Sequence, residues 1–211
     1  MTILKPIRDA IVGSILVAFC AASANANLIV NGGFEDNSPS SALGGGGGWK
    51  YYDANDVLGW DGSNLELWGT LGIDSYEGSY HAELNSHGKN NGAWSISQTF
   101  DTIAGQSYDL FFAYSARLAN ASGSLESFSV QVDGLYYELD DHVVGDWSTY
   151  SDSFIADDNT ATLTFSSIDQ HRWTYGNFLD DVRVSSVPEP SSLALLALGF
   201  LGLGAVRKRI N

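Results

Sequence analysis

Glu126-Ser127-Phe128-Ser129-Val130-Gln131-Val132-Asp133-Gly134 is the stretch that decides the fold. Phe128, Val130 and Val132 alternate with Ser129 and Gln131, so a strand over 126–132 has one apolar face and one wet face. Asp133-Gly134 then closes a hairpin, with a return strand over 135–139. The same pattern recurs outward in both directions. Clear strands are expected at 92–100, 107–116, 160–166 and 177–185, and weaker ones at 28–31, 65–68, 80–84 and 147–154. No stretch sustains a helical period. Roughly ten short strands separated by Gly and Asp turns predict an all-β, antiparallel sandwich.

Gly44 to Gly48 form an uninterrupted glycine run that cannot pack a core and is expected to be a mobile loop. A phosphate-cradling loop would need a following helix and a Lys-Ser or Lys-Thr pair, and the sequence has neither. Between residues 27 and 187 the cations are Lys50, Lys89, Arg117, Arg172 and Arg183, against 23 of the chain's 25 carboxylates, a formal charge of −18. Such a surface repels phosphate backbones, so nucleic acid is a poor partner. It keeps an exported protein soluble and offers hard oxygen ligands of the kind calcium takes.

The two ends read differently from the middle. Lys5 and Arg8 precede an apolar run over 11–22 and then Ala24-Asn25-Ala26, the order of a signal peptide cut after Ala26. The run is shorter than the roughly 20 residues of a spanning helix. Cys20, the single cysteine, follows the bulky Phe19 and lies inside the segment to be removed, so the mature chain has no thiol chemistry and no disulfide. This gives three parts: a signal peptide at 1–26, a β-sandwich at 27–186 and a C-terminal segment at 187–211.

That last segment carries Pro188-Glu189-Pro190, an uncharged Leu, Ala and Gly stretch to Val206, and then Arg207-Lys208-Arg209. The prolines hold the chain extended, the apolar stretch suits a hydrophobic helix in lipid, and the basic cluster stays on the cytoplasmic side. In this order the segment resembles the PEP-CTERM sorting signal of Gram-negative bacteria. The resemblance implies an exosortase as partner, a transient inner-membrane stage through the C-terminal helix, and an outward destination in the cell envelope or beyond. A bare membrane anchor is the alternative, but it has no need of Pro188-Glu189-Pro190.

Several segments of the middle together resemble the galactose-binding-like jelly rolls of carbohydrate-binding modules. They are Asn27 to Glu35, Gly59-Trp60, Glu66-Leu67-Trp68, Gly78 to Asn85, Ile96 to Phe100 followed by Ala104 to Tyr108 as a central hairpin, and Phe178 to Val184 as the closing strand. The resemblance implies a jelly-roll β-sandwich with a structural calcium where first and last strands meet, at Glu35 and Asp180. The Gly33 carbonyl is a possible third oxygen. Independently, a period of two puts Asp180 on the inward side with Val182 and Val184, where a carboxylate needs a partner or a cation. Asp181 is then the exposed member of the pair.

Sugar rings stack their C–H faces on flat side chains, and their hydroxyls are met by polar ones. Trp173 and Tyr175, beside Gln170, His171 and Arg172 before the last strand, are the first carbohydrate-binding candidates, and Trp68 and Trp49 the next. Trp94, alternating with Ile96, is expected to be buried and Trp147 to begin a strand, so neither is a candidate for ligand contact. A catalytic reading starts from His81 and Glu83 on one strand face with His87 beyond, while His142 and His171 lie in unrelated segments. A glycosidase needs two carboxylates across a cleft, and the serine elbow, dinucleotide and phosphate-loop motifs do not occur. The expectation is a noncatalytic exported domain that associates with extracellular polysaccharide or envelope glycan. A structural surface or biofilm component without a sugar pocket and a weak glycan hydrolase remain as alternatives.

Overall fold

Leu110, Phe112 and Tyr114 on one strand and Leu163 and Phe165 on another are fully or nearly fully buried, and they face one another across the interior of a two-sheet sandwich. The computed structural model describes residues 26–36, 48–69, 72–84, 94–117, 127–140, 143–168 and 176–188. The signal peptide, most of the glycine run and all of the sorting segment beyond Pro188 lie outside them. Residues 25–187 pack as one unit.

Among the described residues eleven strands run β1 (Trp49–Tyr52), β2 (Asp61–Gly62), β3 (Leu65–Trp68), β4 (His81–Glu83), β5 (Ser95–Asp101), β6 (Ser107–Ala116), β7 (Phe128–Val132), β8 (Leu135–Leu139), β9 (Ser148–Ile155), β10 (Thr160–Ser167) and β11 (Asn177–Ser186). One sheet has the order β1-β3-β4-β11-β6-β9 and the other β2-β5-β10-β7-β8. Neighbouring strands in both are antiparallel. The expected antiparallel β-sandwich is therefore the observed architecture. The hairpin that anchored the sequence reading is present, Val132 pairing with Leu135 around Asp133 at φ 45°.

Alternation along each strand builds the core. Phe112 meets Phe165 edge-on at 5.1 Å between ring centroids, and Phe34 stacks on Trp60 at 5.3 Å. Each such ring contributes about 1.5–3 kcal/mol by leaving water.

Four expectations change. Residues 28–31 form no strand; they follow a turn beside β11, held by backbone bonds from Leu28 N to the Val184 oxygen and from Val182 N to the Gly32 oxygen. Asn27 and Gln98 replace the missing ladder with side chains. The Asn27 Oδ1 accepts from Ile29 N and Val184 N, and Gln98 both donates to and accepts from the Val30 backbone. Second, β5 and β6 are not a hairpin: the turn between them carries the chain from one sheet to the other. Third, two short strands, β1 and β2, escaped the sequence pattern because four and two residues are too few to show a period.

The fourth change concerns Asp180. The β6–β11 register slips between Asp180 and Arg183, and Asp181 adopts φ 50°. This bulge inserts one residue, so Leu179, Val182 and Val184 enter the core while Asp180 shares the opposite face with Phe178. A strict period of two failed there because the extra residue resets it.

Candidate functional site

The outer face of the six-stranded sheet ought to be wet, since Leu65, Leu67, Ala82 and Leu179 already supply the core from the other side. It is instead largely buried. Glu66 and Trp68 of β3, His81 and Glu83 of β4, and Phe178 and Asp180 of β11 are 0–4 % exposed. The chain between Gly72 and Tyr80 crosses this face, and Trp147 fastens it by donating from Nε1 to the Asp74 carbonyl at 2.8 Å. The Tyr76 ring lies 6.1 Å from that of Trp147 and 6.2 Å from that of Phe111.

Burial of so many polar groups requires partners. His81 Nδ1 and Ser75 Oγ are 3.0 Å apart, and the imidazole meets Phe178 and Trp147 edge-on at 4.6 and 5.5 Å. Its Nε2 has no hydrogen-bond partner, and burial pulls the imidazole down to about 4, so it is neutral at pH 7. Glu83 accepts from Gly176 N at 3.0 Å and takes both its Arg117 contacts from Nη1, at 3.1 and 3.0 Å. Its cross-strand neighbour is a second fully buried carboxyl, Glu66. Burial first, and the hydrogen-bonded Glu66 beside it, push Glu83 up to about 8 against the pull of Gly176 N and Arg117. Glu66 also accepts from Trp68 Nε1 at 3.1 Å, and the Arg117 guanidinium lies 4.4 Å over the Trp68 ring.

Beside this cluster opens a cavity of about 420 Å³ whose walls include Trp68, Ile73, Arg117, Val144 and Phe178. It is an apolar pocket with one guanidinium, the combination that fits a flat ring bearing polar substituents. The structure brings together two of the four carbohydrate-binding candidates. Trp68 is 4 % exposed and acts as a wall rather than an open platform, while Trp49 stacks on it at 6.1 Å and is 43 % exposed. Trp173 and Tyr175 lie outside the described residues, as do His87, His142 and the neighbouring 170–172 segment. Trp94 is buried as expected, and Trp147, immediately before β9, is half-buried on the outer face and belongs to the cover of the cluster. Sequence reasoning missed Glu66 and Arg117. A carboxylate set between Leu65 and Leu67, and a rare cation closing an apolar strand in an acidic domain, were the available signals.

The proposed calcium ligands are arranged as follows. Asp180 accepts from Glu77 N at 3.0 Å and Asp181 N at 2.7 Å, and burial pushes its carboxyl up to about 7. Glu35 accepts from Ser79 N at 2.6 Å and Tyr80 N at 2.8 Å. Gly33 lies between them, and a Cβ there would stand 2.7 Å from Glu77 Oε2 and 3.9 Å from Asp180 Oδ1. Asp181 pairs with the exposed Arg183 at 2.8 Å. Among the described residues no group of three or more His, Cys, Asp or Glu is set to hold a metal ion, so two carboxylates, Asp180 and Glu77, face the space at Gly33.

Fold and cavity together define a class: a two-sheet antiparallel sandwich with a pocket on one sheet's outer face. Solved structures of similar shape include the Stig cyclase Fisc from Fischerella sp. TAU, with TM-score 0.51 and 15% identity over 79% of this chain and all of that one. The arabinose-bound α-L-arabinofuranosidase MgGH51 gives TM-score 0.52 and 9% identity over 76% of this chain and 26% of its own. The carbohydrate-binding module TmCBM61, solved with beta-1,4-galactotriose, gives 0.47 and 14% over 77% of this chain and 99% of its own. These likenesses concern the fold.

The chain belongs to the family described as protein of unknown function DUF642, whose model matches residues 27–185. Residues 186–209 match the PEP-CTERM protein-sorting motif, which implies an exported protein processed by an exosortase and sorted to the cell surface. No curated protein matches the chain. Among the described residues no helix is long and apolar enough to cross a membrane.

Proposed function

We propose that this is a noncatalytic exported protein that binds extracellular polysaccharide or envelope glycan in the cavity beside Trp68. The observation that carries this reading is the pocket itself: aromatic and aliphatic walls for the C–H face of a sugar ring, one guanidinium for its hydroxyls, and the exposed Trp49 stacked alongside. A purely structural surface component has no use for such a pocket. The hydrolase reading is less well supported. Glu66 and Glu83 are hydrogen-bonded to each other, closer than the roughly 5 Å that even a retaining glycosidase leaves between its carboxyls. Glu83 is further engaged by Arg117 and Gly176 N.

Calcium is proposed as a structural cation at Asp180 and Glu77, beside Gly33. When bound it would bridge the buried Asp180 carboxylate to the exposed Glu77, and its work is mechanical rather than chemical. Retardation of the full-length protein in gels cast with polysaccharides tests the binding reading. Trp49→Ala should weaken retardation about tenfold, as loss of a stacking face costs roughly 1 kcal/mol or more. A folded protein that no polysaccharide retards would overturn it.

A further inference from the structure

Resting on the glycan reading, we infer that Arg117 is the residue that decides specificity at this site, and that its pairing with Glu83, beside the buried Glu66, makes the cavity select an uncharged sugar and turn away uronate sugars. An arginine facing a ligand pocket ordinarily invites a carboxylate, which it grips with two parallel hydrogen bonds. Here that capacity is engaged from below. Nη1 of Arg117 reaches both oxygens of Glu83, and a second fully buried carboxyl, Glu66, stands across the strand pair. The guanidinium is thus already seated on Glu83, with a second buried carboxyl across the strand pair, before any ligand arrives.

Among the described residues the surroundings add no further positive charge. The other cations among the described residues are Lys50 and Arg183. Lys50 lies 4.9 Å over the Tyr52 ring and Arg183 is paired with Asp181. The titratable groups that approach the trio from its own sheet and cover are His81 of β4, neutral, Asp180 of β11, and Asp74 and Glu77 of the crossing segment. Beyond them stands a domain of formal charge −18. A polyuronate would enter against that field with no uncompensated cation waiting, at a cost several times the thermal energy. A neutral ring meets Trp68, Phe178, Ile73 and Val144 through its C–H face and Arg117 through neutral hydroxyls, without disturbing the pairing with Glu83.

The test compares neutral gels (galactan, xylan, glucomannan) with uronate gels (polygalacturonate, alginate) for the full-length protein at low salt and pH 6.5. Retardation by at least one neutral polymer and by neither uronate is expected. Arg117→Ala should lose the neutral binding about tenfold. The double variant Glu66→Gln with Glu83→Gln leaves the guanidinium uncompensated and should gain uronate binding at least tenfold. Wild-type retardation by uronates but not by neutral polymers overturns the inference and leaves the glycan reading standing; retardation by neither class overturns both. If the double variant does not fold, the wild-type comparison alone decides, since it needs no substitution.

Discussion

Glu83 keeps its proton to about pH 8 in the folded chain and loses it near pH 4.5 when unfolded, because burial penalises the carboxylate. A carboxyl raised in this way stabilises the fold fully below its unfolded value, and that contribution is lost as pH rises through about 8. His81 works in the opposite sense. It is held neutral down to about 4, so its contribution is full above its ordinary 6.5 and is lost as pH falls through 4. Thermal stability should therefore peak in mild acid and decline on both sides. Glu83→Gln, which mimics the protonated carboxyl, should flatten the alkaline decline by on the order of 5 °C at pH 9 and leave the acid arm untouched, measured by melting across pH. An alkaline arm unchanged by the substitution would sink this account. At this scale the sequence showed part of the cluster. His81 and Glu83 are two apart on a strand, so their shared face followed from the period. Glu66 and Arg117 come from strands whose pairing no local pattern encodes, and the burial that makes the set unusual is supplied by a loop.

Element by element, the strands with five or more alternating residues were readable, β6 to its limits, because the core demands an apolar residue every second position. The bulge in β11 was not, since Phe178-Leu179-Asp180-Asp181-Val182 reads equally well as an unbroken alternation with one substitution. The cost of that bulge is visible at Gly32. A Cβ there would strike the backbone carbonyl of Val182, whose N–H already donates to the Gly32 oxygen. Gly32→Ala should cost roughly 2–4 kcal/mol, since backbone on both sides has to move. Gly134→Ala, where a Cβ meets nothing within 4 Å, serves as the control and should change stability little. Urea melts of both variants give the comparison. The turn at 28–34 looked like a strand because its apolar residues are real; they pack on the core while side chains of Asn27 and Gln98 do the pairing.

For the molecule as a whole, the C-terminal sorting segment was the most legible part, because its motif, charge and hydropathy are read without a fold. The calcium proposal belongs at this scale as well, since a cation at Asp180 would tie β11 to the segment carrying Glu77. A chelator should lower the melting midpoint of the wild-type protein, by an amount that grows with the calcium first supplied, and should leave Asp180→Asn unmoved. An unchanged wild-type midpoint would remove the cation from the account.

The strand order has one more consequence. β11 is the last strand in the chain, yet it lies between β4 and β6 in the middle of its sheet and also holds the turn at 27–34. Neither the six-stranded sheet nor the N-terminal turn can be completed until residues 177–186 arrive, because β11 alone joins β4 to β6. Its six-stranded sheet therefore stays in two pieces until the last strand is made, a few residues ahead of the Pro188-Glu189-Pro190 motif.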